Sequence, residues 1–247
     1  MPIAPDRPRD PAAVLAAIRE RCTALVVEAE DLAVPVPTAR PFTVGELYAH
    51  LVGTAVDAAA GDVPDYPELG REDVVRGHVE AARGRSVTEL AQEWAKAEAV
   101  LLHALDQAQL TALVVEATAR EHDLRTALDR PGFRDDDGIR ISLDALAAQL
   151  SERLSAAGAP PLRVTVEQWG AIVGSGNPHD CLVGDRFEFV RAMTGRRSRG
   201  QVARWSWSRE PEAYYDLLSS FGELPEKEIR ERDPRVPAHL ADFDLTH

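Results

Sequence analysis

Three groups of residues in this chain have the types and spacing that chemistry needs. The first is His50, beside Leu47 and Leu51 on the flank of an apolar stripe. A histidine there faces a protein interior. It either hydrogen-bonds a carbonyl or serves as a base or metal ligand. The second group is Glu116, Arg120 and Asp123, spaced i, i+4 and i+7 on one helical ridge beside Leu113, Ala117, Leu124 and Ala127. Two acids and an arginine next to a core are costly unless they satisfy one another. The ridge is therefore either an internal ion-pair ladder or a polar centre shared with His50. The third group is basic: residues 186–209 hold seven arginines and one acid, Glu188. Arginine grips carboxylates and phosphates with two parallel hydrogen bonds, so the patch suits a small anion. Arg196 and Arg197 follow Gly195, a helix stop, which places them in a turn. There they either tie the turn to nearby carbonyls or face a cleft. Lysine occurs only at Lys96 and Lys227, so arginine is the default cation here, and its abundance alone carries little weight.

The charge excludes several partners. The formal net charge is -13, and residues 161–247, with 12 basic and 14 acidic side chains, hold little of it. The first 160 residues would repel phosphate backbones and anionic membranes, so neither nucleic acid nor membrane is an expected partner. No apolar run approaches the ~18 residues of a membrane span. The start, Met1 to Arg7, lacks the apolar segment of a secretory signal. Two distant cysteines, Cys22 and Cys181, fit a reducing compartment and exclude a disulfide framework. Those features predict a cytoplasmic protein. Asp135-Asp136-Asp137-Gly138 lacks the alternating spacing of a calcium loop, and Gly174-Ser175-Gly176-Asn177-Pro178 lacks the Gly-Lys-Ser/Thr of a phosphate loop.

Helices must position the first two groups. Asp10 and Pro11 open a helix over 11–31, and Thr43 with Glu46 forms a capping box for the helix that carries His50. A short helix is expected over 72–82. Ser86 and Glu89 box a helix running to about Ala108, a fourth spans about 111–128, and a fifth spans about 143–156. After Pro160-Pro161 the apolar period changes to two: Leu162, Val164 and Val166 alternate with Arg163 and Thr165. Short strands are expected at 171–173 and 181–183 and over 201–207. Helices are expected from Asp185 to Gly195 and over 211–218, with a poorly packed charged tail from Glu223. The pattern predicts an α+β chain: an up-down helical bundle over 1–158 and a small mixed α/β domain over 159–247.

Three segments carry a family resemblance: Thr43-Val44-Gly45-Glu46-Leu47-Tyr48-Ala49-His50-Leu51, the stretch Glu116 to Leu128, and Phe187 to Ser198 with Gln201 to Trp207. Through them the chain resembles the mycothiol-dependent maleylpyruvate isomerase family. The resemblance implies a DinB-like four-helix bundle, a divalent metal such as zinc, mycothiol as the low-molecular-weight thiol, and a small anionic electrophile as substrate. It implies metal ligands at His50 and Glu116. The family's third ligand, a histidine one turn after the glutamate, falls on Arg120, which has no lone pair to give a cation. His122 is the remaining candidate ligand, though two residues along a helix is a rotation of about 200°. Arg196 and Arg197 are the expected catalytic arginines, and Arg120, Asp123 and Arg196 the expected substrate-binding residues. The competing reading is a metal-free, non-catalytic protein of the same fold that binds a ligand.

Overall fold

The computed structural model describes residues 9–63 and 68–236. Six helices come first: α1 (Pro11–Val27), α2 (Val44–Ala59), α3 (Glu72–Ala81), α4 (Val87–Ala104), α5 (Gln107–Ala127) and α6 (Asp137–Ala156). There follow β1 (Leu162–Val166), β2 (Trp169–Val173), β3 (Asp180–Gly184), α7 (Arg186–Met193), α8 (Arg199–Ala203), β4 (Ser206–Trp207) and α9 (Tyr215–Leu218). The four-stranded sheet has the order β2-β1-β3-β4, with β1 and β3 parallel and the outer pairs antiparallel. The architecture is α+β, as the change of period predicts.

Helix starts are set by side chains that accept from otherwise unpaired N–H groups. Thr43 with Glu46 and Ser86 with Glu89 form complete capping boxes. So do Asp106 and Gln109, which begin α5 four residues before the expected position. Asp136 accepts from Ile139 N and begins α6 at Asp137, six residues early. The acidic triplet is thus a helix start, each such cap contributing about 1 kcal/mol. Two other expectations shorten. The alternation over 201–207 resolves into α8 and a two-residue strand, and the helix over 211–218 keeps only its last turn.

Two apolar clusters flank α5. The first gathers α1, α2, α4 and one side of α5, with Ile18, Leu47 and Leu101 among its members. The second gathers the sheet, α7, α9 and nearly all of α6's stripe, Ile139, Leu143, Leu146, Leu150 and Leu154, with Val115 from α5. Fully burying each such side chain is worth roughly 1.5–3 kcal/mol. Between the clusters, every residue of α5 from Leu113 to Arg125 is buried, polar ones included. Among the described residues no helix is long and apolar enough to cross a membrane.

The segment after Glu223 departs from expectation, because it is docked. Arg199 N donates to Pro225 O at 3.2 Å, Gln201 Nε2 donates to Ile229 O at 2.9 Å, and Glu231 is inserted between Arg191 and Arg197. A carboxylate that satisfies buried guanidiniums anchors this stretch together with those backbone contacts, and no apolar period announces it.

Candidate functional site

The site is built on α5, whose buried polar side chains each need a partner. Towards α2, Glu116 Oε1 lies 2.9 Å from His50 Nε2, and both side chains are fully buried. On its other ring nitrogen, His50 Nδ1 is 2.9 Å from Nδ1 of His78 on α3, and His78 Nε2 reaches Asp57 Oδ2 at 2.7 Å. The rings of His50 and His78 stack with centroids 5.2 Å apart. Gly53 makes this possible: a Cβ there would stand 2.3 Å from His78 Cγ. Burial pushes the His50 pKa down, against the hydrogen bond that His50 Nε2 donates to Glu116, which pulls it up.

One turn along, Arg120 Nε donates to the same Glu116 Oε1 at 2.6 Å, and its Nη1 stands 3.5 Å from Asp123 Oδ2. Its Nη2 is 3.4 Å from Gly70 O. A Cβ on Gly70 would meet Phe221 Cε1 at 2.5 Å and Arg120 Nη2 at 2.8 Å, so any larger residue there must displace one of these side chains. Burial alone would raise the Glu116 carboxyl, but Arg120 and His50 overcome it and bring it to about 2.

Asp123 joins this centre to the second part of the chain. Its Oδ2 accepts from Arg196 Nη2 at 2.7 Å and its Oδ1 from Arg191 Nη2 at 2.7 Å. Burial works to raise this carboxyl, yet Arg196 and Arg191, with Arg120, hold it well below the usual range. Arg196 also stands over the Phe221 ring, 5.1 Å from its centroid. Arg191 continues to Glu231 Oε1 at 2.8 Å, and Arg197 Nη1 meets Glu231 Oε2 at 2.6 Å. The result is a run of alternating charge through the interior: Glu116, Arg120, Asp123, Arg191 and Arg196, Glu231, Arg197.

The sequence-derived residues fall into two groups. His50, Glu116, Arg120, Asp123 and Arg196 come together. Arg197 does not join them; it is buried against both Glu188 oxygens, Arg196 O and Glu231. His122 is also elsewhere, which corrects the expectation of it as the remaining metal ligand beside His50 and Glu116. Its ring points off the ridge, edge-on to Phe187 with centroids 4.7 Å apart, and burial pushes its pKa down to about 3. The residues therefore do not fit the metal that the resemblance implies. Arg120 occupies the turn where a third ligand is needed, and the described residues contain no group of three or more His, Cys, Asp or Glu side chains arranged to hold an ion.

Four participants escaped sequence reasoning: Asp57, His78, Arg191 and Glu231. A signal existed for the first two. Asp57 is seven residues after His50 on one helical face, and Gly53 between them leaves a gap that a bulky side chain must fill.

No family model matches the chain, and no curated protein matches it in sequence. Two solved structures match in fold. One is the mycothiol-dependent maleylpyruvate isomerase, 15% identical, covering 89% of this chain and 95% of that one with a TM-score of 0.51. The other is a point mutant of a mycothiol-dependent maleylpyruvate isomerase, 13% identical with the same coverage and a TM-score of 0.52. Along nearly its whole length the chain thus has the fold of the mycothiol-dependent maleylpyruvate isomerase.

Proposed function

We propose that this chain is a thiol-dependent enzyme of the maleylpyruvate isomerase kind, using mycothiol or a similar small thiol on a small anionic electrophile, with Arg120 standing in place of a metal. The observation that carries this reading is the ion pair of Arg120 with Glu116, joined through Asp123 to Arg196 beneath Phe221. Two guanidiniums side by side make a site that favours a thiolate over a thiol. They also suit the carboxylate of a substrate. Addition of the thiolate to an activated double bond forms a C–S bond and sends the π electrons to the conjugated carbonyl. Rotation about the resulting single bond and expulsion of the thiolate return the double bond isomerised, with no net oxidation. His50, held by Glu116 and His78, and Asp123, held by Arg191, fix the two arginines' partners in place.

The test is turnover of maleylpyruvate by purified untagged protein with mycothiol, with and without a chelator. Thiol-dependent isomerisation that resists the chelator and is lost in Arg120→Ala supports the reading. Absence of thiol-dependent turnover, or turnover abolished by chelator and restored by zinc, refutes it. The second reading, a non-catalytic binder of small anions, is favoured by the closure of the centre under Gly70 and Phe221. Binding of maleate that is lost in Arg120→Ala, without any turnover, would select it.

A further inference from the structure

A second polar cavity lies on the other side of α5, where no motif points. It has a volume of about 190 Å³ and is walled by the end of α5, the 131–134 turn, the first turn of α7 and residues 230–232. That is room for roughly six waters at ~30 Å³ each. Four arginines line it, Arg125, Arg134, Arg230 and Arg232, against two acids, Asp129 and Glu231. Neither acid is free to balance an extra cation. Asp129 takes Arg232 at 2.7 Å, and Glu231 is taken by Arg191, Arg197 and the Thr126 hydroxyl.

Two groups on this cavity are held without a close carboxylate or a side-chain hydrogen-bond partner. Arg134, its side chain 10% exposed, donates through Nη2 to the carbonyls of Glu231 and Arg232, at 2.9 and 2.8 Å. The carboxylates of Glu188 and Asp233 stand 3.7 Å from its Nη1, beyond hydrogen-bond reach. Its charge is balanced by these two long ion pairs, with neither carboxylate in hydrogen-bond contact, and burial lowers its pKa despite them. His122 is 3% exposed, and among the described residues neither of its ring nitrogens has a hydrogen-bond partner. Phe187 holds both: Arg134 lies over its face at 4.3 Å from the centroid, and His122 meets it edge-on. A neutral imidazole keeps one N–H to donate.

We infer that this pocket binds a small oxyanion, a phosphate or a short carboxylate, with Arg134 as its charge partner and the His122 ring as its hydrogen-bond donor. Arg125, Arg230 and Arg232 line the pocket as well, each already paired with a carboxylate, Glu121, Glu228 and Asp129 respectively. The site is separate from the thiol-dependent reading above, because His122 is about 200° around α5 from Arg120.

The experiment titrates the intact protein with inorganic phosphate and with maleate at constant ionic strength. Thermal unfolding and the His122 ring resonances are followed together. The expected result is a concentration-dependent rise in Tm that sodium chloride does not reproduce, with a saturable shift of the His122 resonances. Arg134→Gln should abolish both. Because Arg134 also ties down residues 231 and 232, Arg230→Gln serves as a second variant: its side chain is 75% exposed, so the fold should persist while affinity drops several-fold. Response to phosphate alone assigns a phosphoryl ligand, and response to both anions assigns a general oxyanion site. Unmoved His122 resonances at millimolar anion, or an undiminished response in Arg134→Gln, overturns the inference.

Discussion

Replacing Asp123 by Asn removes one charge from the middle of the buried network and changes almost no volume. Asp123 is fully buried and accepts from Arg191 and Arg196 at 2.7 Å each, with Arg120 at 3.5 Å. At an effective dielectric of about 20 and charge centres ~4 Å apart, each close pair is worth roughly 4 kcal/mol, so two give ~8 kcal/mol gross. Keeping a carboxylate out of water costs several kcal/mol, which the amide avoids, leaving a net loss of about 3–5 kcal/mol. Urea unfolding measures it: the midpoint should fall with little change in slope. Adding Arg196→Gln should cost less than the sum of the two single changes, with a coupling of about 1–3 kcal/mol, because that guanidinium no longer needs its partner. A loss below about 1 kcal/mol for Asp123→Asn, or strict additivity in the double variant, would falsify the view that this carboxylate neutralises the centre.

Three further outcomes are expected. Stability should fall as pH drops below about 6.5: the unfolded chain protonates its histidines there, whereas the folded chain keeps His122 neutral down to about 3 and also resists charging His50. The slope is up to ~1.4 kcal/mol per pH unit for each such histidine. Glu116 adds a second loss only below about 4.3, as pH falls towards its folded value of about 2. A urea midpoint that stays flat between pH 7 and pH 5 contradicts the histidine part. Gly53→Ala forces a methyl group to within 2.3 Å of His78 Cγ, so it should cost about 1–3 kcal/mol and break the His50–His78 contact, visible in the histidine ring resonances. Arg120→His places an imidazole one turn after Glu116 and facing His50. Elemental analysis after desalting should find zinc retained by the variant and not by the parent, and equal zinc in both would count against Arg120 as the obstacle.

Local chemistry carried much of the fold in readable form. Thr43 with Glu46 and Ser86 with Glu89 marked helix starts because a capping box is complete within four residues. The meeting of His50 and Glu116 was legible because each flanks an apolar stripe, and two such flanks in one bundle tend to face each other. What stayed hidden depends on partners distant in sequence. The stripe on α6 shows a helical period but not whether it packs on helices or on the sheet, and it chose the sheet. Over 201–207, seven residues are too few to separate a period of 3.6 from one of two. Glu231 lies in a segment that reads as solvated tail, and only the buried guanidiniums 34 and 40 residues earlier give it a place.

The contacts from Asp57 through His78 and His50 to Glu116 also fix a proton inventory. Three hydrogen bonds link these four groups, and each needs one proton. With both carboxylates ionised, two neutral imidazoles supply only two. The run therefore has one more hydrogen-bond position than its neutral imidazoles can fill. Burial disfavours charge on His50, so the inner ring stays neutral, and its single N–H can serve only one of its two neighbours, His78 or Glu116. That carboxylate is the closest anion to Arg120. The tautomer of one buried ring thus decides whether the carboxylate that holds Arg120 is also held from α2.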